Sequence, residues 1–98
     1  MANYQLTNLA VQDLTDIWNY TFDNWSEQQA DVYYQQLVTG FENITANQDI
    51  GRNYDGITKD LYGFKVNRHI IFYRVITNEL VEVTRILHER MELKSKLG

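Results

Sequence analysis

The hydrophobic pattern of this 98-residue chain changes its period once, and that change constrains the fold more than any other feature. Up to about residue 47, apolar side chains recur at spacings of three and four, which is the period of an amphipathic helix. Between residues 61 and 87 they alternate with other side chains, which is the period of a strand. The sequence therefore predicts an α+β fold, in which two helices cover one face of a small sheet.

Two helices are predicted before residue 47, and each has a recognisable start. Thr7 or Asn8 can cap the first helix, and Ser26 with Gln29 forms the S-x-x-Q pattern of a capping box at the start of the second. Because the link between them is very short, the helices form an antiparallel hairpin. The predicted core-facing stripes are Val11, Leu14, Trp18, Phe22 and Trp25, with Ile17 beside them, and then Ala30, Tyr33, Tyr34, Leu37, Phe41 and Ile44.

The aromatic residues of these stripes are predicted to lie mostly in the core. One or two of them are expected in a groove between the hairpin and the sheet, since exposed aromatic side chains often anchor interfaces. The six residues are Trp18, Phe22, Trp25, Tyr33, Tyr34 and Phe41.

Strands are predicted at residues 3–6, 61–66, 69–76 and 81–87, the last three joined by tight turns into a meander. Strict alternation in the last strand places Val81, Val83, Arg85 and Leu87 on one face and Glu82, Thr84 and Ile86 on the other. Residues 52–60 are predicted as a polar loop, and the residues after Glu89 as a short charged helix or tail. The second face of the sheet is expected to be partly open, and residues 1–98 to form one domain.

Composition excludes several kinds of site. The chain has no cysteine, which removes disulfides, thiolate zinc sites and cysteine nucleophiles, and its two histidines make a histidine-rich metal centre improbable. We therefore predict no metal and no cofactor. No apolar run approaches the roughly 20 residues of a membrane span, and the first residues lack a signal-peptide pattern. We expect a cytoplasmic protein without membrane contact.

Charge is divided unevenly along the chain. Residues 1–51 contain seven acidic residues and no lysine or arginine, whereas residues 52–98 contain nine basic and six acidic residues. The two halves carry −7 and +3, which predicts an acidic face and a basic face. A protein that binds nucleic acid through its phosphates usually has an excess of Lys and Arg. The net charge of −4 therefore argues against direct nucleic-acid binding.

Several segments of the chain resemble a known family. Residues 67–74 read NRHIIFYR, residues 83–91 read VTRILHERM, residues 14–21 read LTDIWNYT, and residues 49–52 read DIGR. Together they resemble the ParE branch of the RelE/ParE toxin superfamily, over about residues 4–91. Gln48 departs from the family pattern, which often has a proline before the DIGR turn, and we expect this to change only the helix end.

The resemblance implies a toxin of a bacterial type II toxin–antitoxin pair, a class linked to plasmid stabilisation and stress response. Its fold would have an N-terminal strand and an antiparallel helical hairpin on one face of a largely antiparallel sheet. A ParD-like antitoxin, of the ribbon-helix-helix type, would neutralise it in a hetero-oligomer. ParE toxins poison DNA gyrase and block replication, whereas their RelE relatives cut mRNA on the ribosome.

We predict two sets of binding residues. Aromatic side chains and arginine forks suit an antitoxin segment, because the arginine guanidinium donates paired hydrogen bonds to carboxylates and backbone carbonyls. The target contact is expected beyond the last strand, in the tail that ends at Gly98. The predicted antitoxin-binding residues are Trp25, Tyr34, Arg68, Arg74 and Arg85, and the predicted target-binding residues are His88, Arg90 and Met91.

A ribosome-dependent mRNA endonuclease is the main alternative function. Such an enzyme needs a base for the 2′-hydroxyl, an acid for the leaving group and cations for the phosphate. The candidates are His88, Glu89, Arg68, Arg74 and Arg85. Because no acid–base pair with clustered cations is evident, we predict no enzyme activity and no catalytic residues. A binding-only module that has lost its toxicity is the third reading, and the sequence does not separate it from an active toxin.

Overall fold

A computed structural model describes residues 3–97, so Gly98 of the predicted tail lies outside the described residues. The order of elements confirms the change from helical to strand period. A short 3-10 turn, Gln48–Ile50, follows the second helix. The helices and strands are β1 (Asn3–Leu6), α1 (Asn8–Asn24), α2 (Glu27–Ala46), β2 (Arg52–Asn53), β3 (Tyr62–Val66), β4 (His69–Thr77), β5 (Leu80–His88) and α3 (Leu93–Leu97).

The five strands form one sheet in the order β1-β5-β4-β3-β2. β1 is parallel to β5, with Asn3 opposite Leu80, and the other three pairings are antiparallel. The α1–α2 hairpin covers one face of this sheet, and the predicted α+β class is confirmed. The two-residue strand β2 lies in the segment that was predicted as a loop.

Both helix starts use the predicted caps. The Thr7 hydroxyl accepts a hydrogen bond from the Ala10 N–H at 3.1 Å, and the Ser26 hydroxyl accepts one from the Gln29 N–H at 3.0 Å. Since α1 ends at Asn24 and Ser26 already caps α2, only Trp25 and Ser26 link the helices. The antiparallel hairpin follows from this short link.

The main core lies between α2 and the sheet. Leu37, Phe41 and Ile44 of α2 are buried as predicted, against Ile71 and Tyr73 of β4. A side chain at Gly40 would not fit between the helix and the sheet, because its Cβ would lie 2.8 Å from Ile71 Cδ1 and 2.9 Å from Val66 Cγ2. Gly40 thus allows the close approach of α2 to the sheet.

The predicted core stripe of α1 is wrong at most of its positions. Ala10 and Thr21 are the buried residues of α1, and Leu14 and Ile17 pack partly against the core. Val11, Phe22 and Trp25 are exposed instead, as is Tyr34 of α2, while Trp18 and Tyr33 are half-buried. Of the six aromatic residues assigned to the core, only Phe41 is fully buried. The reason is that α1 has a second, smaller-volume stripe one step around the helix, and this stripe fits against β5.

Strict alternation along β5 is also wrong. Phe72 lies opposite Arg85 and Tyr73 lies opposite Val83, so Thr84 is an extra residue in β5. A bulge of this kind shifts every following side chain to the other face. As a result Ile86 joins Val81 and Val83 in the core under the helices. Leu87 and Arg85 turn to the far face, where Leu87 packs with Ile70 and Phe72.

The far face of the sheet is more covered than expected. Leu93 and Leu97 of α3 pack against a second buried cluster that includes Leu61, Phe72 and Leu87. The charged C-terminal segment therefore folds back as a short helix over apolar side chains. None of the helices in residues 3–97 is long and apolar enough to cross a bilayer.

Asp13 of α1 binds the part of the β5 edge that does not pair with β1. The pairing of β1 with β5 ends at Val83. Beyond it, the Asp13 carboxylate accepts the Ile86 backbone N–H at 3.0 Å and two bonds from the Arg85 guanidinium, at 2.7 and 3.0 Å. Both side chains are mostly buried, and the bond to Asp13 raises the pKa of Arg85. This contact fixes α1 to the sheet.

Candidate partner-binding site

A groove with aromatic walls runs between the helical hairpin and the adjoining ends of β4 and β5. It consists of two neighbouring cavities of about 450 and 410 Å³, which share Tyr20, Thr21, His69 and His88. We call it the aromatic groove. Its remaining lining includes Asp16, Ile17 and Met91 in one cavity and Trp25, Gln29, Tyr33 and Arg68 in the other.

The helical wall of the groove carries the most exposed aromatic side chains of the described chain. Trp25 is 75% exposed and Tyr20 is 66% exposed. Trp25 occupies the C-cap of α1, where its N–H donates to the Thr21 carbonyl at 2.9 Å. Its side chain projects from the tip of the hairpin because the two-residue link provides nothing to cover it. Exposed aromatic side chains of this kind are typical anchors for a protein partner.

The two histidines meet at the floor of the groove because β4 begins where β5 ends. His69 lies opposite His88 in the register, and their rings are 5.3 Å apart in an edge-on arrangement. The Tyr33 hydroxyl of α2 is hydrogen-bonded to His69 Nδ1. Burial, with a further contribution from His88, lowers the pKa of His69 to about 4. His69 is therefore neutral at pH 7, and it connects α2 to the sheet.

His88 and Glu89 are also held by neighbours. His88 Nδ1 accepts the Arg90 backbone N–H at 3.1 Å, which orients the ring at the end of β5. The Glu89 carboxylate pairs with Lys65 at 3.0 Å, and this contact lowers the pKa of Glu89. Glu89 thus faces a lysine of β3 and forms no acid–base pair with either histidine in hydrogen-bond distance.

The predicted binding residues divide among three surfaces. Trp25, Arg68, His88 and Met91 line the aromatic groove, so part of both predicted sets comes together there. Arg90 is exposed just beyond β5. The other three predicted residues lie elsewhere.

Tyr34 lies in a shallow cavity on the outer side of the hairpin, beside Val11 and Trp18. Arg74 and Arg85 line a depression on the far face of the sheet, together with Lys96 and Leu97 of α3. Arg85 is already paired with Asp13, whereas the exposed Arg74 makes no ion pair within residues 3–97. One binding segment that contacts all five predicted antitoxin residues would have to wrap around much of the molecule.

Tyr20 and Tyr33 belong to the groove although the sequence did not single them out as binding residues. Tyr20 is an aromatic residue of α1 that belongs to neither of its apolar stripes. A position outside the stripes predicts an exposed side chain, and this is how Tyr20 could have been identified from the sequence. Tyr33 matches the core period of α2, so only its hydroxyl contact with His69 distinguishes it from a core residue.

Comparisons with known proteins give a consistent family assignment. The family model for the ParE toxin of the type II toxin–antitoxin system parDE matches residues 4–93. Toxin ParE1 of Mycobacterium tuberculosis is 33% identical over 96 residues, which cover 98% of both chains. Toxin ParE1 of Caulobacter vibrioides is 32% identical over the full length of both chains.

The fold agrees with a solved structure of this class. The chromosomal ParDE toxin–antitoxin system from P. aeruginosa contains a chain that superposes with a TM-score of 0.76. The match covers 90% of this chain and 96% of that one, at 20% sequence identity. On the family match and the curated relatives, this chain belongs to the ParE toxin family of type II toxin–antitoxin systems.

Proposed function

We propose that this ParE-family toxin is neutralised by a ParD-like antitoxin segment that binds the aromatic groove, and that it inhibits DNA gyrase by binding, without cutting nucleic acid. The observation that carries the first part is the exposure of Trp25 and Tyr20 beside a cationic rim at Arg68. Such a groove fits a short amphipathic segment with an apolar face and an acidic neighbour.

The engagement of most candidate acid, base and cationic groups by other residues supports the second part. His69 is neutral and bonded to Tyr33, Glu89 is paired with Lys65, and Arg85 is paired with Asp13. A nuclease that works without a metal needs a base, an acid and cations around one phosphate. Of its five candidate residues, Glu89 and Arg85 are engaged in ion pairs and Arg74 lies on the far face, so three of the five are not available in the groove.

Charge supports the same conclusion. The hairpin wall of the groove carries Asp16 near the floor, and the whole chain has a net charge of −4. A strand of RNA would meet this acidic wall with its phosphates, which weakens binding. We propose a gyrase-directed, cytoplasmic toxin with no catalytic residues. Its target contact is His88 and Met91 together with Arg90.

Antitoxin binding is tested by calorimetry with a ParD-like antitoxin of the ribbon-helix-helix type. Trp25→Ala is expected to weaken binding by about 2 kcal/mol, in the range of an interface anchor. Ile50→Ala, an exposed apolar residue outside the groove, is the matched control and should leave affinity unchanged. If both variants bind as tightly as the wild type, the antitoxin does not use the groove.

The target is tested with purified toxin, gyrase and relaxed plasmid, alongside mRNA profiling after induction in cells. Gyrase held on cleaved DNA, with intact mRNA, is the expected result. Cuts at fixed codon positions in translated mRNA, with gyrase unaffected, would show an endonuclease instead. The proximity of His88, His69 and Arg68 is the one observation that favours that alternative. Inactivity in both assays would identify a binding-only module.

A further inference from the structure

The outward face of α1 carries an apolar stripe that has no partner within residues 3–97. Val11, Trp18 and Phe22 occupy offsets of 0, 7 and 11, which place them along one side of the helix. The rings of Trp18 and Phe22 are stacked, with centroids 5.3 Å apart and an interplanar angle of 14°. Val11 and Phe22 are nevertheless half-exposed to solvent. The core contacts of α1 are made by its other stripe.

α2 contributes a second wall next to this stripe. Tyr34 is exposed there, and a cavity of about 280 Å³ lies between the two helices. It is lined by Val11, Leu14, Thr15, Trp18, Asn19 and Tyr34. We call it the hairpin groove, and it shares no lining residue with the aromatic groove. A channel between two antiparallel helices is a seat for a third helix, because a helix ridge packs into it.

The charged residues of the helical hairpin are all of one sign. Residues 8–46, which span both helices, contain six acidic residues and no lysine or arginine. Within residues 3–97, only Asp13 of these six forms an ion pair, and it faces the sheet. Asp31 lies at the groove itself, where its carboxylate accepts the Trp18 indole N–H at 3.1 Å. A symmetric dimer through this face would bring acid against acid, which is unfavourable.

We propose that the hairpin groove binds a basic amphipathic helix of another protein. The helix would place apolar residues against Val11, Trp18 and Phe22, with a lysine or arginine toward the Asp31 carboxylate. Helices of this kind bind grooves through residues spaced i, i+3/i+4 and i+7. The negative charge of the hairpin speeds the encounter with a basic partner and makes it sensitive to salt. An anionic membrane would be repelled by the same charge.

The test uses the full chain and a labelled synthetic helix of about 18 residues, made of leucine and lysine in an amphipathic pattern. Fluorescence anisotropy should show saturable binding that weakens as NaCl rises from about 0.05 to about 0.5 M. The same peptide with glutamate in place of lysine should bind at least about tenfold more weakly. Equal binding of the two peptides would overturn the proposal.

Matched variants locate the site. Phe22→Ser and Val11→Ser should each weaken binding of the lysine peptide by about tenfold. The control is Ile76→Ser on β4, because Ile76 and Val11 are both 50% exposed and Ile76 lies outside the groove. All three substitutions are at exposed positions, so melting temperatures should change little. A comparable loss in Ile76→Ser would mean that the peptide binds without a defined site, and would overturn the proposal.

Two further measurements exclude other occupants. Sedimentation that shows dimers in the wild type and monomers in Phe22→Ser would assign the groove to a second copy of the chain. Binding to phosphatidylserine vesicles that is lost in the same variant would assign it to a lipid surface. Either result would overturn the proposal. Because Trp25 is absent from this groove, the antitoxin test at Trp25 can fail or succeed independently.

Discussion

α1 and α2 both carry aromatic residues at helical spacing, yet α2 buries a phenylalanine and α1 exposes one. α2 places Leu37, Phe41 and Ile44 of its predicted stripe in the core, with Phe41 only 1% exposed, although Tyr34 of the same stripe is exposed. α1 buries the small residues Ala10 and Thr21 and leaves Phe22 46% exposed. The two helices differ because α2 lies over the centre of the sheet, whereas α1 lies along β5 near its free edge, where Asp13 binds.

This difference teaches that an aromatic stripe at helical spacing does not by itself identify the core side of a helix. α2 contributes large apolar residues to the stability of the fold. α1 attaches itself with small residues and one carboxylate, and it presents its aromatic residues to solvent. The exposed stripe of α1 is the part of the hairpin that the proposed basic helix would cover.

The comparison is tested most strongly by removing one phenylalanine from each helix. Phe41→Ala in α2 should lower the free energy of unfolding by about 3–5 kcal/mol, because it leaves a cavity in the core. Phe22→Ala in α1 should lower it by less than about 1 kcal/mol, since the ring is already half in water. Urea denaturation of both variants measures the two values. Losses of equal size would show that α1 also contributes its aromatic stripe to the core.

The attachment of α1 is tested at its carboxylate. Asp13→Ala should destabilise the fold by about 2–3 kcal/mol, because it leaves the Arg85 guanidinium and the Ile86 N–H without an acceptor. Asp16→Ala is the control on the same helix, since Asp16 is exposed and forms no ion pair within residues 3–97. Its effect should stay within about 0.5 kcal/mol. If urea denaturation shows the same loss of unfolding free energy for both variants, Asp13 has no special role in attaching α1 to the sheet.

The close approach of α2 is tested by Gly40→Ala. Alanine favours a helix over glycine by about 1 kcal/mol. The added methyl, however, would lie 2.8 Å from Ile71 Cδ1 and 2.9 Å from Val66 Cγ2, and such overpacking costs about 1–3 kcal/mol. We expect a net loss of roughly 1 kcal/mol in thermal or urea unfolding. A stabilised variant would mean that the side chains of the sheet under α2 move easily to make room for the added methyl.

The last test concerns the contact between α2 and His69, which depends on pH. In the unfolded chain a histidine takes up its proton near pH 6.5, whereas the pKa of folded His69 is about 4. The unfolded state therefore binds more protons in this window, and stability falls as pH falls from about 6.5 to 4. His69→Gln should flatten this part of the stability profile. His88→Gln, which keeps His69 and Tyr33, should retain most of the slope.

The helices and strands of this fold could be predicted from local chemistry, but the side of each one that faces the core could not. The caps at Thr7 and Ser26 and the change of period depend on neighbours in sequence, so they were predictable. The bulge at Thr84 depends on how β4 and β5 pair, which no local pattern reports. α1 offered two stripes of suitable spacing, and only the shape of β5 decides between them.

The site could be predicted in part for the same reason. Trp25, Arg68, His88 and Met91 meet because the hairpin tip and the strand ends lie at one end of the molecule, as the chain order implies. Arg85 does not join them because the bulge at Thr84 turns it to the far face, where Asp13 reaches it around the sheet edge. Tyr34 is separated from the groove by its position on the outer side of α2.

The pairing of β1 with β5 also determines when the toxin can complete its fold during synthesis. Asn3 of β1 pairs with Leu80 of β5, so β1 cannot join the sheet until β5 has been synthesised. Contacts of such high sequence separation form late, because their loop entropy is lost before they gain any pairing energy. Ribosomes add roughly 5–20 residues per second, so a nascent chain spends seconds with its hairpin residues synthesised and its sheet unfinished. During that interval α1 has no β5 to pack against, and the two histidines at the floor of the aromatic groove are not yet paired.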